Sequence, residues 1–312
     1  RVAQEHLDVR FQVLGGPKDL LQSEGSASEK PPSSSRLTEM EVSSDHNNHV
    51  SLNSSDGHNG YNHTAPQTQS PSNSRHKILN PAYTFNNFIV GKSNELAHAA
   101  AVAVAERPGH IYNPLFIYAG VGLGKTHLLQ AIGNKVLQRS PTPRVHYTTS
   151  EKFTIDFISA IQNNNSSTFS ERHRNVETLL VDDIQFFQKK EQTQEQFFHT
   201  FNDLYQRGKQ VVLTTDRHPS ELYGLKDRLL SRFQSGLIVD IQAPNLETRI
   251  AILQKKAEED KLEIPYEITE LIATNIRGNI REMEGALIKL LAYSSLSHSD
   301  ITMPLAKRAL RE

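Results

Sequence analysis

From Leu79 onward, short apolar runs alternate with longer stretches in which apolar residues recur every three or four positions. The runs Leu115–Tyr118, Val145–Thr149, Thr178–Ile184, Val211–Asp216 and Leu237–Ile241 have the length and flanking turn residues of buried strands. Between them the spacing predicts helices over Lys125–Leu137, Glu151–Ile161 and Gln194–Arg207. Ser93 is the expected N-cap of an Ala-rich helix through Leu96–Val104, which ends at Pro108-Gly109. Strands alternating with helices imply a mainly parallel sheet covered on both faces, with ligands bound beyond the carboxyl ends of the strands. After Pro244 the strand signal stops. Helical spacing runs through Glu247–Asp260, Tyr266–Asn275, Asn279–Leu296 and Thr302–Glu312, and Ile250, Ile252, Leu253 and Ala257 form the core face of the first helix. The expected architecture is an α/β unit over residues 79–243, with a five-stranded parallel sheet and helices on both faces. A small all-α lid over 244–312 follows it.

The first 78 residues follow neither pattern. Arg1–Leu21 holds the alternating run Val9–Leu14 and then Gly15-Gly16-Pro17. This reads as a strand from the remnant of a small domain over residues 1–22, too short to bury a core alone. Residues 23–78 are rich in Ser, Asn and His with scattered Pro, and cannot offset the entropy of ordering; a disordered tether is expected. His46, His49, His58, His63 and His76 lack ligand spacing and read as solvated side chains, and the sequon Asn62-His63-Thr64 reads as chance. This region accounts for the low hydrophobic fraction of 37%. A net charge of -1 neither points to nor excludes a nucleic-acid partner. The absence of cysteine excludes disulfides and Cys-based metal sites and fits a reducing cytosol. With no bilayer-length apolar run and no signal peptide, a cytoplasmic protein is expected, and a start at Arg1 suggests a fragment.

Chemistry enters at Ala119–Thr126, A-G-V-G-L-G-K-T, between an apolar strand and a helical stretch. Such a junction suits a phosphate-binding loop. Gly120, Gly122 and Gly124 let the backbone wrap closely, and the helix N-terminus favours an anion. Lys125 can reach terminal phosphates and Thr126 can ligate Mg²⁺. Ala119 stands where the pattern has glycine. If that position needs φ > 0, the alanine costs about 1 kcal/mol and loosens nucleotide binding. Downstream, Leu179–Asp183 is an apolar run ending in two acids. Asp182 would hold Mg²⁺, directly or through water, and Asp183 would polarise an attacking water. A plain strand-to-turn boundary explains the acids equally well until the upstream loop is counted. Asp216 ends a third run, where it can orient a water or sense a γ-phosphate, or simply cap a turn. Arg228 and Arg232, four apart, share one helix face, which a solvated or salt-bridged surface also explains. Arg281 opposes the dipole near a helix N-terminus, a small cost offset by an anionic partner, either a nucleotide or Glu282 or Glu284.

In this order the signatures resemble those of AAA+ ATPases. The wording of Asn113–Tyr118, Gly122–Leu129, Asp182–Phe187, Glu195–Asn202, Asp227–Phe233 and Asn279–Leu287 is similar to the DnaA family of bacterial replication initiators, over about Leu79 to Glu312. The resemblance implies a slow, switch-like ATPase that binds ATP or ADP with Mg²⁺ and assembles head to tail into a homo-oligomeric filament that opens origin DNA. It implies that Gly120, Val121, Gly122, Leu123, Gly124, Lys125, Thr126 and His127 hold the phosphates, with Thr126 and Asp182 on the metal. Phe88, Ile89, Val90 and Asn94 would border the adenine. Arg232 would be the arginine finger, Arg228 a second interface arginine, Asp216 the sensor-1 residue and Arg281 the sensor-2 arginine. Ile158 and Lys190 fit an apolar-plus-basic contact to single-stranded DNA, although Gln192 stands where the family often has a basic residue. The resemblance also extends to a replicative helicase contact through the N-terminal region and to an acidic phospholipid contact. The family continues into a helix-turn-helix domain that reads duplex origin boxes; this sequence stops at Glu312, so that function is expected to lie outside it.

Two rival readings use the same motifs. A nucleotide-gated adaptor that regulates an initiator or loads a helicase would need no duplex reader, but its compactness fits poorly with the long tether. A metabolic P-loop kinase would need a small-substrate pocket and no arginine supplied in trans, which the helical lid and the Arg228/Arg232 pair disfavour. A basic helical extension beyond Glu312 would support the initiator, and a natural stop there the adaptor.

Overall fold

The apolar runs form five strands: β1 Leu115–Ala119, β2 Val145–Thr149, β3 Thr178–Asp182, β4 Gln210–Thr215 and β5 Leu237–Ile241. They pair in the order β2-β3-β4-β1-β5, all parallel. The computed structural model describes residues 79–139, 144–297 and 300–311. The expected 1–22 remnant, the 23–78 tether and the helicase contact placed there lie outside the described residues. Strands β3 and β4 are buried along their whole length, which is why each reads as a continuous run instead of an alternation.

The helices are α1 Glu95–Glu106, α2 Lys125–Arg139, α3 Ser150–Gln162, α4 Ser166–Arg174, α5 Glu191–Gln206, α6 Asp227–Gln234, α7 Leu246–Glu259, α8 Tyr266–Asn275, α9 Ile280–Ser297 and α10 Met303–Arg311. Strand periodicity divides the core. Leu115, Ile117 and Ala119 of β1 face α1 and α2, where Ala101, Val104, Leu128 and Ile132 are buried. Phe116 faces the other way, into an aromatic layer with Phe153, Phe197, Phe201 and Phe233 from α3, α5 and α6. Ring centroids 4.8 to 5.6 Å apart join Phe153, Phe187 and Phe197 in edge and tilted contacts. A third core, with Leu253, Ile272, Met283 and Leu290, lies within α7 to α10. Ile250, Leu253 and Ala257 are buried there as expected. Ile252 instead lines a cavity described below. Among the described residues no helix is long and apolar enough to cross a membrane.

Four local expectations are corrected. Helix α4 was not anticipated, because only Phe169 and His173 of its nine residues are buried. The run expected to continue to Ile184 ends at Asp182. Asp183 takes a left-handed conformation, φ 56°, and Ile184–Phe187 forms a 3₁₀ turn. Asp216 likewise lies just beyond β4. The residue preceding α1 is Asn94, not Ser93, and its side chain makes no capping bond. Its amide accepts from Gly91 N at 2.9 Å and donates to Ile89 O at 3.0 Å, which shapes the preceding loop.

A buried imidazole on α4 meets a half-buried one on the edge strand. The rings of His146 and His173 meet at right angles, 4.7 Å apart, against Phe153 and Phe169. His173 is fully buried and its Nδ1 donates to Phe169 O at 2.9 Å. Burial lowers the pKa of both; for His146 it does so to about 4, with His173, Arg172 and Lys152 adding to the shift and Asp156 opposing it. Since the unfolded value is near 6.5, the unfolded chain binds more protons between pH 6.5 and 4. Stability is therefore complete above pH 6.5 and lost as pH falls through that window. His146→Gln is expected to reduce the acid sensitivity of the urea midpoint by an amount of the order of 1–3 kcal/mol at pH 4. An unchanged pH profile would contradict the assignment.

Candidate nucleotide-binding site

Where β1 ends at Ala119, the chain turns through residues 120–124 and enters α2 at Lys125. Only the turn needs glycine conformations: Gly122 has φ 73° and Gly124 φ 97°. A Cβ at Gly124 would sit 3.1 Å from the Phe88 ring, and one at Gly122 2.9 Å from Asn279 Oδ1. Ala119 is an ordinary strand residue with no left-handed backbone, so the cost expected from its side chain does not arise. Accordingly, Ala119→Gly should lower stability by about 0.5–1 kcal/mol and leave nucleotide affinity unchanged by calorimetric titration. Tighter binding in the variant would show that the alanine strains the loop.

Lys125 is 7% exposed, and its Nζ donates to Ala119 O and Gly120 O, both at 2.9 Å. Burial lowers its pKa, and the carboxylates of Asp183, Asp182 and Asp216 pull it back up. The Thr126 hydroxyl donates to Asp182 Oδ2 at 2.7 Å, and Tyr147 reaches the same oxygen at 3.2 Å. Thr214 donates to the other oxygen. Asp182 is 2% exposed and stands behind Thr126, outside the cavity lining. Burial raises its pKa, and the hydroxyl bonds act against that.

Asp183 does line the cavity. Its left-handed backbone costs about 1–2 kcal/mol. The peptide is held by Asp183 N donating to Thr214 Oγ1 at 3.0 Å and Ser150 Oγ donating to Asp183 O at 2.5 Å. Gln185 donates to Asp183 Oδ1 at 3.1 Å. Thr214 thus places both acids, a role that sequence reasoning missed; the only signal was a polar residue inside an otherwise apolar strand.

The cavity has a volume of about 680 Å³. Its lining combines the polar loop residues with the aromatic and apolar Tyr83, Phe88, Ile89 and His127. His127 Nε2 donates to Thr84 O at 2.8 Å, and the ring stacks on Tyr83 with centroids 4.9 Å apart. Asn94 lines the cavity, but its amide is committed to the backbone of Ile89 and Gly91. Val90 is not brought to the cavity: the chain bends at Gly91, leaving Val90 47% exposed. Gly120 contributes a carbonyl to Lys125 instead of a cavity wall. An aromatic lining beside a basic loop suits a nucleoside polyphosphate.

From the helical segment, α7 and α9 close the opposite side with Ile252, Lys255, Lys256 and Arg281. Ile280 N donates to Gly122 O at 3.1 Å, tying α9 to the loop. Arg281 has no ion-pair partner among the described residues. Glu282, one of the two acids that could have paired with it, is engaged with the side chain of Asn279 at the start of α9. It accepts from Asn279 Nδ2, and its own N–H donates to Asn279 Oδ1, both at 2.8 Å. Asp216 lines the cavity too, with its carboxylate gripped by Arg217 at 2.9 and 2.7 Å, which holds its pKa below the ordinary range.

Neither Arg228 nor Arg232 lines the cavity. Arg228 is paired with Glu195 and lies over the Phe198 ring at 4.5 Å. The Arg232 guanidinium has no hydrogen-bond or ion-pair partner among the described residues. Ile158 is exposed on α3 in a ridge with Ile155 and Ile161, two neighbours the sequence reading did not name. Lys190 is exposed just before α5.

Among the described residues no ready-made cluster of metal-ligating side chains occurs. A hydroxyl with one carboxylate behind it and one beside it fits Mg²⁺, which retains waters and takes phosphate oxygens. A sheet of this order, with such a loop leaving β1, an acid-tipped β3 and a helical segment against the cavity, is that of the AAA+ class of P-loop ATPases. Residues 79–240 match the family of the bacterial DnaA ATPase domain, and the chain belongs to that family. It is 56% identical over 246 residues to the chromosomal replication initiator protein DnaA of Levilactobacillus brevis, covering 79% of this chain and 54% of that protein. The chain therefore spans about half the length of this relative. Domain III of DnaA from Thermotoga maritima is similar with a TM-score of 0.73 and 46% identity, over 75% of this chain and 97% of that one. A DnaA bound to AMPPCP and single-stranded DNA is similar with a TM-score of 0.64 and 42% identity, over 71% of this chain and 69% of that one.

Proposed function

We propose that this chain is the ATP-binding and assembly region of a replication initiator. It binds ATP with Mg²⁺, assembles head to tail, and promotes opening of origin DNA, with slow hydrolysis as the off-switch. The observation that carries this reading is the convergence of Lys125, Thr126, Asp183 and Arg281 on one cavity that aromatic side chains also line. Its support from relatives is the DnaA structure bound to AMPPCP and single-stranded DNA.

In this reading, residues 79–243 form the nucleotide-binding base and 244–312 the lid. The loop amides and Lys125 hold the phosphates at the N-terminus of α2. Thr126 holds the metal and Asp182 orients Thr126. Bound Mg²⁺ neutralises charge on the phosphate oxygens. Asp183 orients the attacking water and takes its proton, and Arg281 reaches the terminal phosphate from the lid. The Asp216–Arg217 pair presents a group of little net charge at the same end, so that Asp216 can stand near phosphates without strong repulsion. Arg232 completes the site of the next protomer, a heterologous contact that extends into a filament instead of closing.

Single-stranded DNA would run along α3 and the start of α5, with bases against the isoleucine ridge and phosphates near Lys190. Lys190→Ala should reduce the salt slope of oligonucleotide binding by about 0.7, as expected for one phosphate contact. An unchanged slope would move the strand elsewhere. The central test is sedimentation with ATP, ADP or no nucleotide, with and without single-stranded DNA. ATP should produce larger species than ADP, and DNA should enlarge them further. No ATP-dependent change in size would overturn the switch.

A further inference from the structure

Beyond the cavity itself, two adjacent residues of α5 hold the helix that carries Arg232, and one of them, Gln194, also touches the turn that follows Asp183. We propose that Gln194 and Glu195 are positioning residues that fix α6, and with it the presentation of Arg232 to the next protomer, to the 3₁₀ turn behind Asp183. This inference rests on the head-to-tail reading.

Gln194 is 1% exposed, and its amide is fully used. Nε2 donates to Phe187 O at 2.9 Å and to Gly224 O at 2.8 Å, and Oε1 accepts from Lys226 N at 2.9 Å. Phe187 closes the 3₁₀ turn that starts directly after Asp183 and contains the cavity-lining Gln185 and Phe186. Lys226 is the N-cap of α6 and makes no side-chain capping bond, so Gln194 satisfies the backbone of that helix start from outside. One buried amide therefore joins the turn after Asp183 to the N-cap of the arginine helix. Removing it would leave the Lys226 N–H without a partner, while Phe187 O and Gly224 O keep the backbone N–H groups of Lys190 and Lys189.

Glu195 sets the rotation of the same helix. Its Oε2 accepts from Lys226 Nζ at 3.2 Å and from the Arg228 guanidinium, while His199 Nε2 lies 3.4 Å from Oε1. Arg228 is further fixed over Phe198. Helix α6 has eight residues; Leu229 and Phe233 seat its inner side in the aromatic layer, and the clamp holds its outer side. Arg232 lies one turn beyond Arg228, on the same face, with its guanidinium left over for an external partner. The arginine nearest the clamp thus serves its own protomer, and the next one is presented outward.

A two-protein complementation separates positioning from folding. The first protomer carries Arg232→Ala and keeps its own site; the second carries Asp183→Asn, retaining nucleotide but not hydrolysis. In the mixture, hydrolysis needs Arg232 from the second at the site of the first. Glu195→Gln placed in the second protomer should lower this activity at least tenfold, and Gln194→Met there should do likewise. Glu195→Gln placed in the first protomer should leave hydrolysis in the mixture and its ATP affinity unaltered. Equal loss from both placements, or none from the second, would overturn the positioning role. If the unmodified mixture fails to hydrolyse ATP, the trans-arginine reading itself fails, and the inference falls with it.

Discussion

Lys125→Ala is expected to weaken ATP binding at least about 100-fold while leaving the chain folded. Two terms add. A hydrogen bond from a charged donor contributes about 1.5–3 kcal/mol, and Lys125 is placed to give more than one to the phosphates. The second term is electrostatic. Asp183 and Asp216 line the same cavity, and Asp182 lies just behind it. Without the ammonium, an incoming polyphosphate meets these carboxylates with less opposing charge. A combined loss near 3 kcal/mol is a factor of roughly 150. The fold is spared because Gly120 is exposed, so water can take over its carbonyl, and only the Ala119 carbonyl loses a buried donor. The check is calorimetric titration together with thermal unfolding. ATP should raise the wild-type midpoint by mass action and leave the variant where it is. Near-wild-type affinity would remove the loop from the nucleotide site.

Much of this was legible because the fold writes itself in periodicities. Strands buried on both faces appear as uninterrupted apolar runs, and the helical segment after Pro244 changes period abruptly. The phosphate loop was legible for a related reason: its chemistry is local, with glycines, lysine and threonine all within Gly120–Thr126. What escaped is what depends on distant partners or on backbone angles. Ala119 suggested strain, but whether a position needs φ > 0 is fixed by where the strand ends, one residue before the turn. Thr214 was passed over because a threonine in a buried strand looks the same whether or not two aspartates lean on it. Arg228 and Arg232 looked equivalent at helical spacing, and only contact with Glu195, 33 positions away, separates them. Helix α4 has too few buried residues to generate a pattern. One miss was avoidable. Asn279 and Glu282 have the spacing of a capping box, which already removes Glu282 as a dedicated partner for Arg281.

Arg232→Ala should separate binding from assembly. Its side chain touches neither the cavity nor any ion-pair partner among the described residues, so ATP affinity of the isolated protomer should stay within about twofold of wild type. Folding stability should also hold, because no buried group is left unpaired. Arg228→Ala makes the contrasting control: it leaves Glu195 without its guanidinium and Phe198 uncovered, and should lower stability by about 1 kcal/mol. In the proposed head-to-tail filament, assembly is where Arg232 should matter. An arginine delivered in trans to a transferring phosphoryl group contributes about 10³–10⁵ to turnover in related chemistry. If hydrolysis is slow as proposed, the observable loss is limited by the basal rate, so the sharper readout is size. With saturating ATP, wild type should sediment as an extended series and Arg232→Ala as the unassembled protomer. ATP-driven assembly of Arg232→Ala at the wild-type concentration dependence would refute the trans assignment, and attention would then turn to Arg281 as the arginine that reads the terminal phosphate within one chain.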